Sequence, residues 1–356
     1  MDFNIKANKN QIVQNFPGTE KLKLSDFRPR EGISFFMHRN LVLYLVEIDL
    51  AAIERMTLIE PERNDRRNNR MKIGFIGVGI MGKSMVRNLM KAGFDVCIYT
   101  RTKSKVLDVI EEGAVWTDTI RECAAGKDAV ITMIGYPKDV EEVYFGQGGI
   151  MECAKQGAYL IDMTTNSPEL AIQIYDRAKE KGFCALDAPV TGGDIGAKEG
   201  TLTIMVGGEE EAYHTCKSIF EAMGDHIVYE GKAGNGQHTK MANQIAIAGT
   251  ISAVCEAMTY AKAVGLDVET MINTIKKGSA ASTQLSSAAP KILKGDYAPG
   301  FFIKHFIKDM RIAASEAKAR GLELPVLEEV LNMYGSLEEK GAGDLGTQAL
   351  IKYYEE

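Results

Sequence analysis

Short apolar runs alternate with amphipathic stretches along the chain from Met71 to about residue 231. Runs rich in Val, Ile and aromatic residues predict strands, and they lie at 72–76, 96–99, 129–134, 159–162, 184–188 and 201–206. Helical patterns lie between them, including 79–91 and 168–181, and Ser167 before Pro168 is a typical N-cap. Such alternation predicts an α/β fold with a Rossmann-type, doubly wound parallel sheet.

Beyond about Gly231 the strand pattern stops and only helical patterns follow. Residues 241–264 predict one long helix with Ala and Met on nearly every face, which is typical of a buried helix. Further helices are predicted at 267–279, 306–319 and 325–340. We therefore expect a Rossmann domain over 71–232 and an all-helical C-terminal domain over 233–356, whose apolar helices also suggest a homo-oligomer.

The first seventy residues follow no clear periodic plan and end in the polar run 61–70. We expect residues 1–70 to be an N-terminal extension outside the main fold. One hypothesis is that Arg66-Arg67 is encoded AGG-AGG, a bacterial ribosome-binding sequence, three codons before Met71. The extension would then be translated leader, and the alternative is a genuine tail; CGN codons at both arginines would exclude the leader.

Composition narrows the class of protein. With 45% hydrophobic residues, 25% charged residues and a net charge of −6, the chain is typical of a globular protein and is not a general binder of nucleic acid. The six cysteines form neither a CxxC pair nor a Cys/His cluster, so no metal site or disulfide framework is indicated. The longest apolar run near the start, 41–46, is too short to span a membrane. We predict a cytoplasmic protein.

A GxGxxG sequence directly follows the first predicted strand and opens a helix. Its glycines permit a tight turn, close approach of backbone N–H groups to a pyrophosphate, and packing of helix on strand. The helix N-terminus adds partial positive charge. These features predict a dinucleotide site that includes Gly77, Gly79, Ile80, Met81 and Gly82.

The end of the second predicted strand indicates which dinucleotide binds. An NAD site usually has an acidic residue there, about 20 residues beyond the glycines. This chain instead has Thr100, Arg101, Thr102 and Lys105, which could neutralise a 2′-phosphate. The alternative is an ordinary solvated basic loop. We predict that NADP(H) is preferred over NAD(H).

Two further motifs carry candidate chemistry. Thr191, Gly192 and Gly193 follow a strand and could cradle a small carboxylate with adjacent N–H groups and a hydroxyl, although the segment could also be a simple turn. Lys240 and Asn243 are three residues apart on one face of the long helix. Burial would lower the lysine pKa into a range usable for acid/base catalysis. The alternative is a lysine that reaches solvent at the start of a helix.

In the order of these motifs, the chain from Met71 nearly to its end resembles the β-hydroxyacid dehydrogenase family, which includes 3-hydroxyisobutyrate dehydrogenase and tartronate semialdehyde reductase. The matching segments are 74–82, 187–202, 234–243 and Lys308-Asp309. The resemblance implies that Thr191, Gly192 and Gly193 bind substrate, that Lys240 is the general acid/base, and that Asn243 assists it. It further implies cofactor contacts from residues that the spacing alone does not single out: Ile134, Gly135, Asn166 and Lys308, the last also contacting substrate.

Three positions depart from the usual family pattern. Thr191 replaces a serine, Gln244 replaces a second asparagine, and Asp194 places a negative charge beside the carboxylate cradle. The first two keep a hydroxyl and an amide. The third leaves open which group the far end of the substrate carries.

The implied reaction is hydride transfer between a nicotinamide cofactor and a small β-hydroxyacid or its semialdehyde. The basic end of the second strand favours reduction by NADPH, hence a 2-hydroxy-3-oxopropionate (tartronate semialdehyde) reductase-like enzyme. The alternatives are a 3-hydroxyisobutyrate dehydrogenase, a succinic semialdehyde or glyoxylate reductase, or a non-enzymatic NADP(H)-binding regulatory scaffold. Imine reductases resemble the architecture but usually lack the lysine that stands here at position 240.

Overall fold

The computed structural model describes residues 71–355 and, before them, only the backbone of an antiparallel pairing of Met37–His38 with Leu41–Val42. The chain divides into two compact units, Met1–Asp65 and Arg66–Glu356. The leader hypothesis at Arg66-Arg67 lies outside the described residues and stays a prediction.

A nine-stranded sheet forms the first half of this unit. Its strands are β1 (Lys72–Ile76), β2 (Asp95–Tyr99), β3 (Val115–Trp116), β4 (Ala129–Thr132), β5 (Tyr159–Asp162), β6 (Cys184–Asp187), β7 (Val190–Thr191), β8 (Leu202–Gly208) and β9 (Gly224–Gly231). The order is β9-β8-β6-β5-β4-β1-β2-β3, and β7 pairs with β8. The pairings are parallel except where β8 meets β6 and β7. All six predicted strands are confirmed.

Helices surround this sheet and then continue alone. Those of the first half are α1 (Ile80–Lys91), α2 (Leu107–Glu111), α3 (Ile120–Ala124), α4 (Pro137–Phe145), α5 (Ile150–Cys153), α6 (Pro168–Glu180), α7 (Gly193–Glu199) and α8 (Glu210–Glu221), with a 3₁₀ turn at Lys103–Val106. Those of the second half are α9 (Asn235–Ala263), α10 (Val268–Ile275), α11 (Thr283–Leu293), α12 (Ile303–Ala319) and α13 (Pro325–Glu339), followed by 3₁₀ segments Ala342–Asp344 and Thr347–Tyr354. The predicted fold class, a parallel sheet followed by a helical region, is confirmed.

Local capping and apolar packing account for the helices around the sheet. The Ser167 hydroxyl accepts from Leu170 N at 3.1 Å, as the Ser-Pro pair predicts. One apolar cluster holds α1 and α8 against the sheet through residues such as Leu89 and Phe220, and a second cluster lies under α6 around Leu160. A third cluster fills the helical half around Phe306 and Tyr334. Among the described residues no helix is long and apolar enough to cross a membrane.

The long helix α9 differs from its prediction in two ways. It begins at Asn235 rather than 241, because the carboxylate of Asp187, on a distant strand, accepts from Gly234 N and Gln237 N at its first turn. It is also only partly buried. One face leaves Ala246, Ala253 and Tyr260 exposed, and Tyr260 keeps 67% of its accessible surface. The prediction of a buried helix, made from Ala and Met on nearly every face, is therefore wrong for this face.

Candidate active site

The glycine loop between β1 and α1 leaves an open space in front of the helix. Gly77 has φ +99°, and a Cβ there would lie 2.2 Å from Met133 O. A Cβ on Gly82 would lie 2.3 Å from Gly77 O, so this glycine lets helix pack on strand. A Cβ on Gly79 would meet nothing within 4 Å. Packing therefore requires Gly77 and Gly82, whereas Gly79 faces room for a pyrophosphate at the helix N-terminus, beside Ile80 and Met81.

A basic, exposed segment follows β2. The Arg101 side chain keeps 82% of its accessible surface, and its Nη1 lies 3.8 Å from the Asp139 carboxylate on α4. Thr102 and Lys105 are also exposed, and Thr100 is half-buried. No acidic residue of this segment replaces the missing ribose ligand of an NAD site. Arg101, Thr102 and Lys105 offer positive charge and hydrogen-bond donors that could hold an anionic group of a cofactor.

The loop that follows β5 is fixed by buried polar contacts. Asp162 accepts from Thr164 N at 3.1 Å and from Asn166 Nδ2 at 3.3 Å. Burial raises the pKa of Asp162, although these hydrogen bonds oppose the shift. The Thr164 hydroxyl in turn accepts from Ile134 N at 2.9 Å, and Gly135 follows at once in the same loop after β4. Both loops leave the carboxyl ends of adjacent strands, where ligands bind in open α/β sheets.

Lys240 lies in the second turn of α9, and its side chain points back to the sheet domain. The residue is 6% exposed, and Nζ donates to Val190 O at 2.8 Å. Burial lowers the pKa of Lys240 to about 8; nearby Lys308 acts in the same direction and Asp309 opposes it. A primary amine with this pKa can give or take a proton near neutral pH. The structure thus excludes the alternative of a lysine that reaches solvent.

Val190 connects this lysine to the predicted substrate cradle. The next residue, Thr191, is half-buried, and Gly192 and Gly193 have φ +127° and +66°. Such positive φ angles strongly favour glycine. Both glycines are exposed; Gly192 O accepts from Gly196 N, so the backbone N–H groups are the ones that could hold a ligand. The hydrogen bond from Lys240 therefore places the amine beside the strand that leads into the cradle.

The helix α12 brings a second lysine and a buried acid to the same place. Lys308 Nζ donates to Thr165 O at 2.6 Å and lies 2.8 Å from Asp309 Oδ1. Asp309 is 1% exposed; its Oδ2 accepts from Gln244 Nε2 at 2.6 Å, and its Oδ1 is the atom that pairs with Lys308. The ammonium of Lys308 thus compensates the buried negative charge of Asp309. Lys308, held by this ion pair and by Thr165 O, is a candidate to contact ligand.

Asn243 does not bond to Lys240 in this structure. Its Nδ2 donates to Gln244 Oε1 at 2.7 Å, and Gln244 Nε2 donates in turn to Asp309 Oδ2. The predicted assistance by Asn243 stays a prediction. The amide of Gln244, noted in the sequence only as a departure, has a definite partner here.

Sequence reasoning did not identify Asp309 and Gln237 as residues of the site. Asp309 was noted only as part of a motif, although an acid between Phe306 and Met310 on the apolar side of α12 was a usable signal. Gln237 carries no comparable signal, since its partners Thr164 O and Asn166 N are far away in sequence. The contacts above connect Lys240, the cradle, Lys308 and Asn166 through shared neighbours. Arg101 and its neighbours lie apart from them, after β2.

Comparisons with known proteins agree with this geometry. Residues 72–231 match the family described as the NAD binding domain of 6-phosphogluconate dehydrogenase. Residues 234–354 match the family described as NAD-binding of NADP-dependent 3-hydroxyisobutyrate dehydrogenase. Together the two matches span the sheet and the helices that form the site.

Individual relatives align over nearly their whole length. The oxidoreductase YkwC of Bacillus subtilis is 53% identical over 79% of this chain and 98% of its own. The 2-hydroxy-3-oxopropionate reductase of Escherichia coli is 37% identical over 80% of this chain and 97% of its own. The crystal structure of 3-hydroxyisobutyrate dehydrogenase from Salmonella typhimurium superposes with a TM-score of 0.73 at 28% identity, covering 79% of this chain and 99% of that one.

The fold and the site define an oxidoreductase that uses a nicotinamide dinucleotide. More narrowly, the chain belongs to the β-hydroxyacid dehydrogenase family and is an NAD(P)-dependent hydroxyacid dehydrogenase. The resemblance inferred from the four sequence motifs is thereby confirmed. The domain limits, the homo-oligomer and the cytoplasmic compartment stay predictions.

Proposed function

We propose that the protein is an NADPH-dependent reductase of small semialdehydes, with 2-hydroxy-3-oxopropionate (tartronate semialdehyde) as its preferred substrate. The observation that carries this proposal is the buried Lys240, with a pKa of about 8, anchored beside the Thr191-Gly192-Gly193 cradle. The relative from Escherichia coli named above is a reductase of this compound. The substrates of the proposed alternatives within the family differ in length and in the group between carboxylate and carbonyl.

The cofactor is held, in this proposal, by the open face of Gly79 and by the loops that carry Ile134, Gly135 and Asn166. When bound, NADPH supplies the hydride that reduces the carbonyl carbon. Arg101, with Thr102 and Lys105, supplies positive charge and donors for the 2′-phosphate. This arrangement supports a preference for NADPH over NADH.

The proton is handled by the chain itself. Protonated Lys240 donates to the carbonyl oxygen as the alcohol forms, and neutral Lys240 accepts the hydroxyl proton in the opposite direction. The N–H groups of the Gly192-Gly193 pair and the Thr191 hydroxyl hold the substrate carboxylate, and Lys308 lies at the loop after β5.

Asp194 supports tartronate semialdehyde over the alternatives. Its carboxylate is half-buried next to Gly193, and within residues 71–355 it forms no hydrogen bond or ion pair. A carboxylate can accept from the hydroxyl that tartronate semialdehyde carries between its two ends. Methylmalonate semialdehyde has a methyl group there, and succinic semialdehyde has only methylene groups. An unpaired carboxylate gains nothing from either of them.

The test is the initial rate of NADPH oxidation by the full chain with tartronate, methylmalonate and succinic semialdehydes and with glyoxylate. We expect tartronate semialdehyde to give the highest kcat/KM, with NADPH above NADH. Asp194→Ala should lower kcat/KM for tartronate semialdehyde about tenfold, the usual worth of one charge-assisted hydrogen bond, and leave the methylmalonate value nearly unchanged. Preference for another semialdehyde would contradict the substrate assignment. Tight NADPH binding without any turnover would favour the scaffold alternative.

A further inference from the structure

Gln237 joins the helix of Lys240 to the loop that follows β5. It lies three residues before Lys240 on α9, and it is completely buried. Its Nε2 donates to Thr164 O at 2.8 Å, and its Oε1 accepts from Asn166 N at 2.9 Å. One side chain thus satisfies a backbone acceptor and a backbone donor two residues apart. This pattern holds the loop in a single conformation against the helix.

The backbone of the same residue is fixed to the sheet. Gln237 N donates to Asp187 Oδ2 at 2.9 Å, and Gly234 N donates to Oδ1 at 2.8 Å. The fit is close, because a Cβ on Gly236 would lie 2.4 Å from Met205 O and 2.9 Å from Asp187 Oδ2. The first turn of α9 therefore has little freedom to slide relative to β6 and β8.

The loop after β5 also accepts hydrogen bonds from the loop after β4 and from α12. Ile134 N donates to the Thr164 hydroxyl, and Lys308 Nζ donates to Thr165 O at 2.6 Å. Asn166, inside the loop, is the residue proposed above to face the cofactor. Hydrogen bonds from α9, α12 and the loop after β4 thus all converge on this one loop.

We infer that Gln237 is a positioning residue: it sets the distance between the Lys240 amine and the loop that carries Asn166. The inference rests on the proposed function, since it assumes that the proton is donated by Lys240 and that cofactor binds against that loop. Gln237 itself touches neither. Its loss should therefore reduce the rate of the chemical step more than it weakens cofactor binding.

The first test compares Gln237→Met with Gln348→Met in the full chain. Gln348 is a matched control, because it is buried and its Nε2 donates to two backbone carbonyls, Asp296 O and Ala298 O, away from the site. We expect Gln237→Met to lower kcat at least about tenfold, the usual cost of mispositioned groups, with the Kd for NADPH changed less than about threefold. Gln348→Met should lower Tm by a similar amount and keep kcat. Equal kcat values for the two variants would overturn the proposal.

A second variant separates positioning from packing. In Gln237→Glu, a protonated carboxyl can still donate to Thr164 O. An ionised carboxylate cannot donate, so its oxygen and Thr164 O, both acceptors, would repel each other. The charged groups around this position are Asp187, Asp162, Lys240 and Lys308, and burial between the two aspartates raises the glutamate pKa. We expect the rate of reduction by this variant to recover toward low pH, where the wild type is flat. A profile parallel to that of the wild type would contradict the positioning role.

Hydrogen exchange tests the hydrogen bonds between Gln237 and the loop after β5 independently of turnover. The Asn166 amide is bonded to Gln237 Oε1, so its exchange in Gln237→Met should be at least about tenfold faster than in the wild type and in Gln348→Met. Unchanged protection of the Asn166 amide would overturn the claim that Gln237 fixes this loop, whatever the substrate is. A wild type that reduces none of the semialdehydes would instead refute the proposed function alone, and the exchange result would still decide the role of Gln237.

Discussion

Replacing Lys240 by alanine should lower kcat for semialdehyde reduction about 10²–10⁴-fold, the range that positioned acid/base groups contribute. The residue is buried, its Nζ donates to Val190 O, and its pKa of about 8 allows both protonation states near neutral pH. Removal of the amine leaves the reacting oxygen without a proton donor. Stopped-flow measurement of NADPH oxidation would report the chemical step directly.

Cofactor binding provides the control for this variant. Among the described residues the Lys240 amine bonds to Val190 O and not to the glycine loop, so the Kd for NADPH, measured by fluorescence titration, should change less than about threefold. Lys262→Ala removes an exposed lysine from the last turn of the same helix and should leave kcat within about twofold. A similar loss of rate in both variants, or a Lys240→Ala enzyme of nearly normal rate, would refute the role of Lys240.

Arg101→Ala should raise the Kd for NADPH about 10–100-fold and the Kd for NADH less than about threefold. The expected size follows from one charge-assisted hydrogen bond, worth about 1.5–3 kcal/mol, to a phosphate that only NADPH carries. Because Arg101 is 82% exposed, solvent screening favours the lower part of this range. Fluorescence titration with both cofactors measures the two constants in one preparation.

Arg121→Ala is the matched control for Arg101. Arg121 lies on α3 in the same domain, is 62% exposed, and approaches Glu152 at 3.9 Å, a pairing as loose as that of Arg101 with Asp139. It should change neither Kd by more than about twofold. If Arg101→Ala weakened both cofactors equally, the predicted preference for NADPH would be wrong.

Local patterns predicted most of the fold. Every predicted strand appears, because strands that are buried in a parallel sheet are continuous apolar runs. The strands that were missed are short or lie at an edge, and β9 mixes Asp225, His226 and Glu230 with apolar residues. The early start of α9 could not be predicted, since its first turn is satisfied by Asp187 from β6.

The site was predictable where a residue type conflicts with its surroundings. A lysine within an Ala/Met-rich helix and a paired glycine after a strand both conflict with simple packing, and the structure places Lys240 and the Gly192-Gly193 segment at the same edge. Gln237 and Gln244 carry no such conflict. Their roles depend on side-chain partners that only the folded chain brings within reach.

The central claim is that Lys240 transfers the proton, and the pH dependence of kcat/KM in the two directions tests it most directly. Burial lowers the pKa of this amine to about 8, so its charged form predominates below that pH and its neutral form above it. Reduction needs the charged form, so kcat/KM for the semialdehyde should be flat at low pH and fall about tenfold per unit above pH 8. Oxidation of the hydroxyacid needs the neutral form and should rise with pH to a plateau above the same value. Profiles with no break between pH 7 and 9, or with both directions falling together, would contradict the account.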